Sequence, residues 1–325
     1  MTLRIMRMSS MRTETRRLYR ASPPLTTVGL GMLLVFVASL VGLATDPRVI
    51  TGAPAWMKPA KFAVSTGIYA LTLAWVMTYL DGWPRLNRLV GWSTAAILVL
   101  EVALIDLQAA RGVTSHFNTA TAFDTSVFAV MGISILVAWA MAIALAVALF
   151  RQAFADPALG WAIRVGMLIT VIGSGVGGLM TRPTDAQLEN ARTTHSLPVA
   201  GAHTVGAVDG GSGLLFTGWS REHGDLRVPH FLGLHAIQTV PAIVWLIGLG
   251  GSPAFRRRTA IVVSLSYASL FAILLGQALS GQSVLMPDGV TLTALIGWLV
   301  ATAMGMAFVW RTRPNHRQTM PMMVA

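Results

Sequence analysis

The chain contains no cysteine. That excludes disulfides, thiolate metal sites, covalent CxxCH haem attachment and cysteine nucleophiles. Any metal would have to be held by His, Asp, Glu or Met. Charge is scarce too: 11% of 325 residues, where an ordinary soluble domain carries about 25%. Acids are the scarcest, 13 against 24 Lys and Arg. The net charge of +11 comes without a basic stripe interleaved with exposed aromatics, which argues against a nucleic-acid partner. The Gly-rich "VDGGSG" lacks the GK[ST] of a phosphate loop, and HExxH and HxxEH are absent.

What the chain has instead is long apolar runs. Residues are 54% hydrophobic, and a helix needs about 20 apolar residues to cross a bilayer. Eight runs qualify: 25–44, 62–80, 89–110, 123–150, 161–180, 230–250, 259–279 and 290–310. They are continuous rather than alternating, which excludes barrel strands. The expected fold is all-α, a polytopic membrane bundle of about eight helices. Residues 1–24 form a basic arm, 25–310 the bundle with a lid loop at 181–229, and 311–325 a tail. The first run, behind the basic arm, also has the flanks of a signal peptide ending near Ala44, but its apolar core is longer than such a segment needs.

Basic flanks set the orientation. With the N-terminus cytoplasmic, the inner segments collect Arg4, Arg7, Arg12, Arg16, Arg17, Arg20, Arg85, Arg88, Arg151, Arg164, Arg256, Arg257, Arg258, Arg311, Arg313 and Arg317. Both ends of the chain then face the cytoplasm, in the inner membrane. The same topology sorts residues not used to build it. Asp46, Glu101, Asp106, Asp124, Asp185, Glu189, Asp209, Glu222, Asp225 and Asp288 fall outside or in the outer half. So do His116, His195, His203, His223, His230 and His235, leaving only His316 inside. Chemistry is therefore expected at the extracytoplasmic face.

Candidate residues follow. Glu101 and Asp106 lie within the third run, where a carboxylate must be paired, protonated or turned to a cavity. Five residues put them about 140° apart, so they form no side-by-side dyad. Gln108 shares a face with Glu101, and Asp106 has Arg111 as an expected partner. Lys58 and Lys61 sit on the outer side, either snorkelling to headgroups or clamping an anion, and Trp56 reads as an interfacial anchor. His235, Gln238 and Thr239 share one face of the sixth run, with His230 at its mouth. The match to GxGxxG at Gly173, Gly175 and Gly178 lies inside a span and reads as a close-packing surface.

"QAARGVTSHFN" and "DLRVPHFLGLHAIQ" resemble segments of an uncharacterised family of bacterial multi-pass membrane proteins. The resemblance covers most of the chain and implies a polytopic helical fold but no activity. Histidines at helix mouths also resemble haem A synthase more loosely, although that family's glutamate–histidine motifs are missing.

The leading expectation is an oxidoreductase or electron-transfer protein using haem b or a transition metal such as copper, iron or zinc. His116 and His235, with Gln238, Lys58 and Lys61, would hold the cofactor, and His203, His223 and His230, with Asp225, a metal. Glu101, Asp106 and Arg111 would do the proton chemistry, with membrane lipids as surroundings and a quinone or small molecule as substrate. Two alternatives stand beside it. One is a proton-coupled transporter or exporter with Glu101 as relay. The other is an enzyme or chaperone acting on lipid or exported substrates.

Overall fold

The structure, a computed structural model, describes residues 2–313, with side chains from residue 12 onward. The end of the tail, with Arg317, lies outside the described residues, as do the side chains of Arg4 and Arg7. Helices dominate: α1 Thr2–Ala21, α2 Pro23–Thr45, α3 Met57–Met77, α4 Pro84–Arg111, α5 Ala122–Arg151, α6 Pro157–Met180, α7 Asp185–Thr194, α8 Arg227–Leu234, α9 Ala236–Gly248, α10 Pro253–Leu279 and α11 Gly289–Arg311. Two small antiparallel pairs, β1 Val49–Ile50 with β2 Ala53–Pro54 and β3 Thr204–Val205 with β4 Gly224–Asp225, stiffen the connections. Seven helices are long and apolar enough to cross a membrane, or eight if the bent pair α8–α9 counts as one span.

Local chemistry sets the ends. Asp156, Ser252 and Asp288 each accept a backbone N–H of the helix that follows, and Pro157 and Pro253 occupy first-turn positions where no N–H is needed. Gly112, at φ 77°, closes α4 in the left-handed conformation. Ser22 is extended, so the polar arm α1 breaks away from apolar α2. Large apolar side chains stay on the outside, among them Leu34, Val37, Leu136, Leu299 and Met304. Water does not tolerate a surface of that extent, whereas acyl chains do.

Helix α6 is the hub and packs on α5, α8, α9 and α10. A methyl group at Gly173 would lie 2.5 Å from Gly233 Cα, so the backbones of α6 and α8 touch. Gly166 meets the carbonyl of Ala236, and Gly177 meets the His230 ring. The packing stripe is therefore Gly166, Gly173 and Gly177. Gly175 and Gly178, two of the glycines in the sequence match, face Trp139 and open space.

The sixth run departs from expectation. It is two helices bent by 54°, with His235 between them at φ −90°, ψ 3°. Pro241 removes an N–H from α9 and disfavours a straight continuation. Backbone groups freed at the break find Thr170 on α6, whose hydroxyl accepts from Ile237 N at 3.2 Å. Tyr267 donates to Leu232 O at 2.7 Å just above. The expected lid loop also has more structure than composition implies, since Thr184 and Gln187 form a capping box that starts α7.

The packing stripe yields a test. Gly173→Ala inserts a methyl group into backbone and is expected to cost about 1–3 kcal/mol, read as a lower melting temperature in detergent. Gly178→Ala, in open space, is the control and should leave melting unchanged. Equal melting of both variants would refute the close crossing.

Candidate functional site

The connections at one end of the bundle carry nearly all the polar architecture. α3 starts there, α4 ends there, and the 112–121 turn joins α4 to α5. Two polar clusters form, and they differ in kind.

The first is closed. Asp124, 3% exposed, accepts from Gln108 at 2.9 Å, from Arg111 at 2.5 Å and from Thr121 at 2.7 Å. Arg111 also donates to Gln108 Oε1 and stacks over Phe123. Every group is used, so this is a clamp between α4 and α5. It corrects the expectation that Arg111 pairs with Asp106. Arg111 belongs to Asp124, and Asp106 Oδ1 is left buried with no hydrogen-bond partner.

The second is open. Lys58 Nζ donates to His116 Nδ1 at 2.9 Å, and Ser115 Oγ lies 3.1 Å from the same nitrogen. His116 Nε2 lies 3.3 Å from Glu101 Oε1. An ammonium only donates, so Nδ1 accepts and Nε2 carries the proton that points to Glu101. Glu101 is 3% exposed, and its second oxygen, Oε2, has no partner. Phe62 packs against both Lys58 and His116. Lys58, Lys61 and Arg227 lie within electrostatic range of one another. Arg227 is neutralised by Asp225, and Lys61 reaches only Thr217 O, at 3.2 Å.

The turn that presents His116 is tightly held. Phe117 sits at φ 62°, an unfavourable conformation for a bulky residue. Its carbonyl accepts from Ala200 N, and its ring stacks 4.9 Å from His203. Gly201, at φ 124°, passes so close that a methyl group would strike Phe117 and the Met180 carbonyl. Residues 198–203 thus press the turn onto the bundle.

His203 and His230 are each fixed through Nδ1, by Asp209 at 2.7 Å and by the Gly173 carbonyl at 2.8 Å. The imidazoles whose charges act on His116 are these two, not His235. The expected facing pair of His116 and His235 is not formed, because both nitrogens of His116 are engaged by Lys58, Ser115 and Glu101. The expected set His203, His223 and His230 does not converge either. His223 pairs through its backbone with Gln282 instead. Among the described residues, no three His, Asp or Glu side chains are placed to hold a metal ion. Trp56, read as an interfacial anchor, donates to Asp46 at 2.8 Å. His235 Nε2 and both amide atoms of Gln238 are buried without partners.

Sequence reasoning missed Phe117 and Thr170, and it counted Asp209 among the outer acids without pairing it with His203. The turn "RGVTSHFN" carried a signal in its density of donors and acceptors, Ser115 among them. No family model, curated protein or solved structure matches the chain.

Burial, and then the charge of Lys58, push His116 well below its ordinary value of 6.5. Burial also lowers His203, against the pull of Asp209. Both imidazoles are therefore neutral in the fold, and the unfolded chain binds more protons below pH 6.5. Stability is full above that value and falls as pH drops through it, by at most ~1.4 kcal/mol per pH unit for each group. The melting temperature is expected to fall between pH 7.5 and 5.5, and His203→Gln should flatten part of that slope. A pH-independent melting temperature would contradict buried neutral imidazoles.

Proposed function

We propose that the chain is a multi-pass protein of the cytoplasmic membrane, with eight spans and both termini inside, that couples proton transfer to transport of a substrate. The observation that carries this reading is the series Lys58–His116–Glu101, half-buried at Lys58 and His116 and buried at Glu101, with its unpartnered Glu101 oxygen. Ionisable groups inside a span are costly and are retained where they relay protons or line a pathway. This series has two states with the same number of protons. In one, Lys58 and Glu101 are charged and His116 is neutral. In the other, one proton has moved through the imidazole, and all three are neutral. Such coupled groups titrate as a unit, and the free Oε2 is where a proton can leave the series. The broken span α8–α9 supports the same reading, since discontinuous helices build the substrate sites of many transporters.

An oxidoreductase using haem or a transition metal is a second reading. His203 and His230 favour it, because a ligating imidazole is commonly oriented by a carboxylate or carbonyl on its other nitrogen. The residues present fit a metal poorly, because among the described residues no third ligand converges. A Soret band or stoichiometric metal in the purified protein would favour this reading over transport.

Charge displacement tests the relay. In liposomes adsorbed on a solid-supported membrane, a pH jump should produce a transient current with the wild-type protein. Glu101→Gln should abolish it while the melting temperature stays within a few degrees. A wild-type protein silent to pH jumps, or a Glu101→Gln variant with full current, would overturn the relay.

A further inference from the structure

The break between α8 and α9 holds the largest unmet hydrogen-bonding capacity among the described residues. Gln238 is the one side chain with both amide atoms buried and without a hydrogen bond, and His235 Nε2, three residues earlier, is in the same state, although the two side chains lie close enough to influence one another. Backbone is not the cause, since Thr170 serves Ile237 N and the His235 carbonyl accepts from Gln238 N and Thr239 N. Three unmet side-chain atoms within one turn cost about 1–3 kcal/mol each. That cost is removed by a molecule that bonds them.

The surroundings specify its chemistry. Among the described residues no ion pair includes a residue of α9, and the buried Asp225 just before α8 is neutralised by Arg227, so the ligand is neutral. The Phe231 ring lies 4.3 Å from the His235 ring, and Trp219 lies 5.8 Å beyond Phe231. A flat ring fits against such faces. Phe231 is 50% exposed, and the α9 side chains Trp245 and Leu246 are exposed too, so access is from the lipid side. An imidazole changes between donor and acceptor by tautomer, and a primary amide does so by rotation. The pair thus satisfies an oxygen as a carbonyl or as a hydroxyl.

We infer that His235 and Gln238, with Phe231 beside them, form a binding site in the helix break for a neutral lipid-soluble molecule of the quinone and quinol class. The site is separate from the proton series of Lys58, His116 and Glu101 and does not rest on the transport reading.

The test uses full-length protein in nanodiscs with decylubiquinone, oxidised and reduced, as the probe. Saturable binding of both forms is expected. Gln238→Leu and His235→Phe should each weaken it roughly tenfold, the loss of one hydrogen bond. Phe231→Leu, on the half-exposed face, should weaken it as well and serves if either interior variant fails to fold. Glu101→Gln should bind as wild type, which separates this site from the relay. Solvent extraction of the purified protein should also release quinone from wild type and less from Gln238→Leu. Absence of saturable binding in wild type, or equal binding by all three site variants, would overturn the site and leave water as the occupant of the break.

Discussion

Backbone contact between Gly173 on α6 and Gly233 on α8 is the constraint on which the polar end of this molecule depends. Without side chains between them, the helices approach until main-chain atoms touch. Only at that distance does the Gly173 carbonyl accept from His230, and only there does Thr170 reach the backbone freed near His235. The bend of α8 against α9 is stabilised by the same approach. A straight α8–α9 helix would carry His235 past α6 instead of stopping it one turn below Phe231. Small residues are the usual device for close helix contact where lipid supplies no hydrophobic drive. Here they also fix a discontinuity.

The contrast between the two polar clusters on α4 shows where structure ends and chemistry begins. Asp124 receives three donors and has no capacity left, so the group joins α4 to α5 and does little else. Glu101, two turns deeper, receives one donor from the 112–121 turn and keeps a free oxygen. Both carboxylates are buried to a similar degree. What separates them is completeness of hydrogen bonding, because a saturated acid is inert and an unsaturated one is poised to exchange a proton. The strained Phe117 belongs to the same logic. Its conformation persists only because Ala200, Gly201 and His203 enclose it, and its effect is to hold His116 between Lys58 and Glu101.

Much of this was legible in the sequence. Continuous apolar runs located each helix that can cross a membrane, and α2 at Pro23–Thr45 lies over the run 25–44, while α10 at Pro253–Leu279 begins well before its run at 259. The scarcity of acids, and their crowding with histidines at one end, located the polar face. The 54° break was not legible, because it depends on Thr170 of α6, a partner that hydropathy cannot supply. Nor were the pairings. Helix geometry separates Glu101 from Asp106, yet it cannot say that Arg111 turns to Asp124 on the next helix or that Lys58, 43 positions before Glu101, shares its histidine. Those contacts depend on how α3, α4 and the 112–121 turn meet in three dimensions. The histidines were readable as a group and misleading as ligands, since each finds a different local partner before it finds a common ion.

Several breaks of local rules in this chain lie near one another. A left-handed phenylalanine, a span that stops at a histidine, a carboxylate with an idle oxygen and a glutamine with no partner all occur within or beside the loop-bearing end. Elsewhere, caps, prolines and small residues agree with the helices they serve. A region that gathers several such breaks carries a stability cost, and stability alone gives no reason to keep it. Two of these irregular features remain unsatisfied for different reasons. Glu101 lacks a partner for a charge that can come and go with a proton, while Gln238 lacks partners for neutral hydrogen bonds that no proton can supply. A single ligand does not answer both. The physical separation of an exchangeable charge from a neutral hydrogen-bonding site is what a protein needs if protons and an apolar substrate are to be handled without one blocking the other.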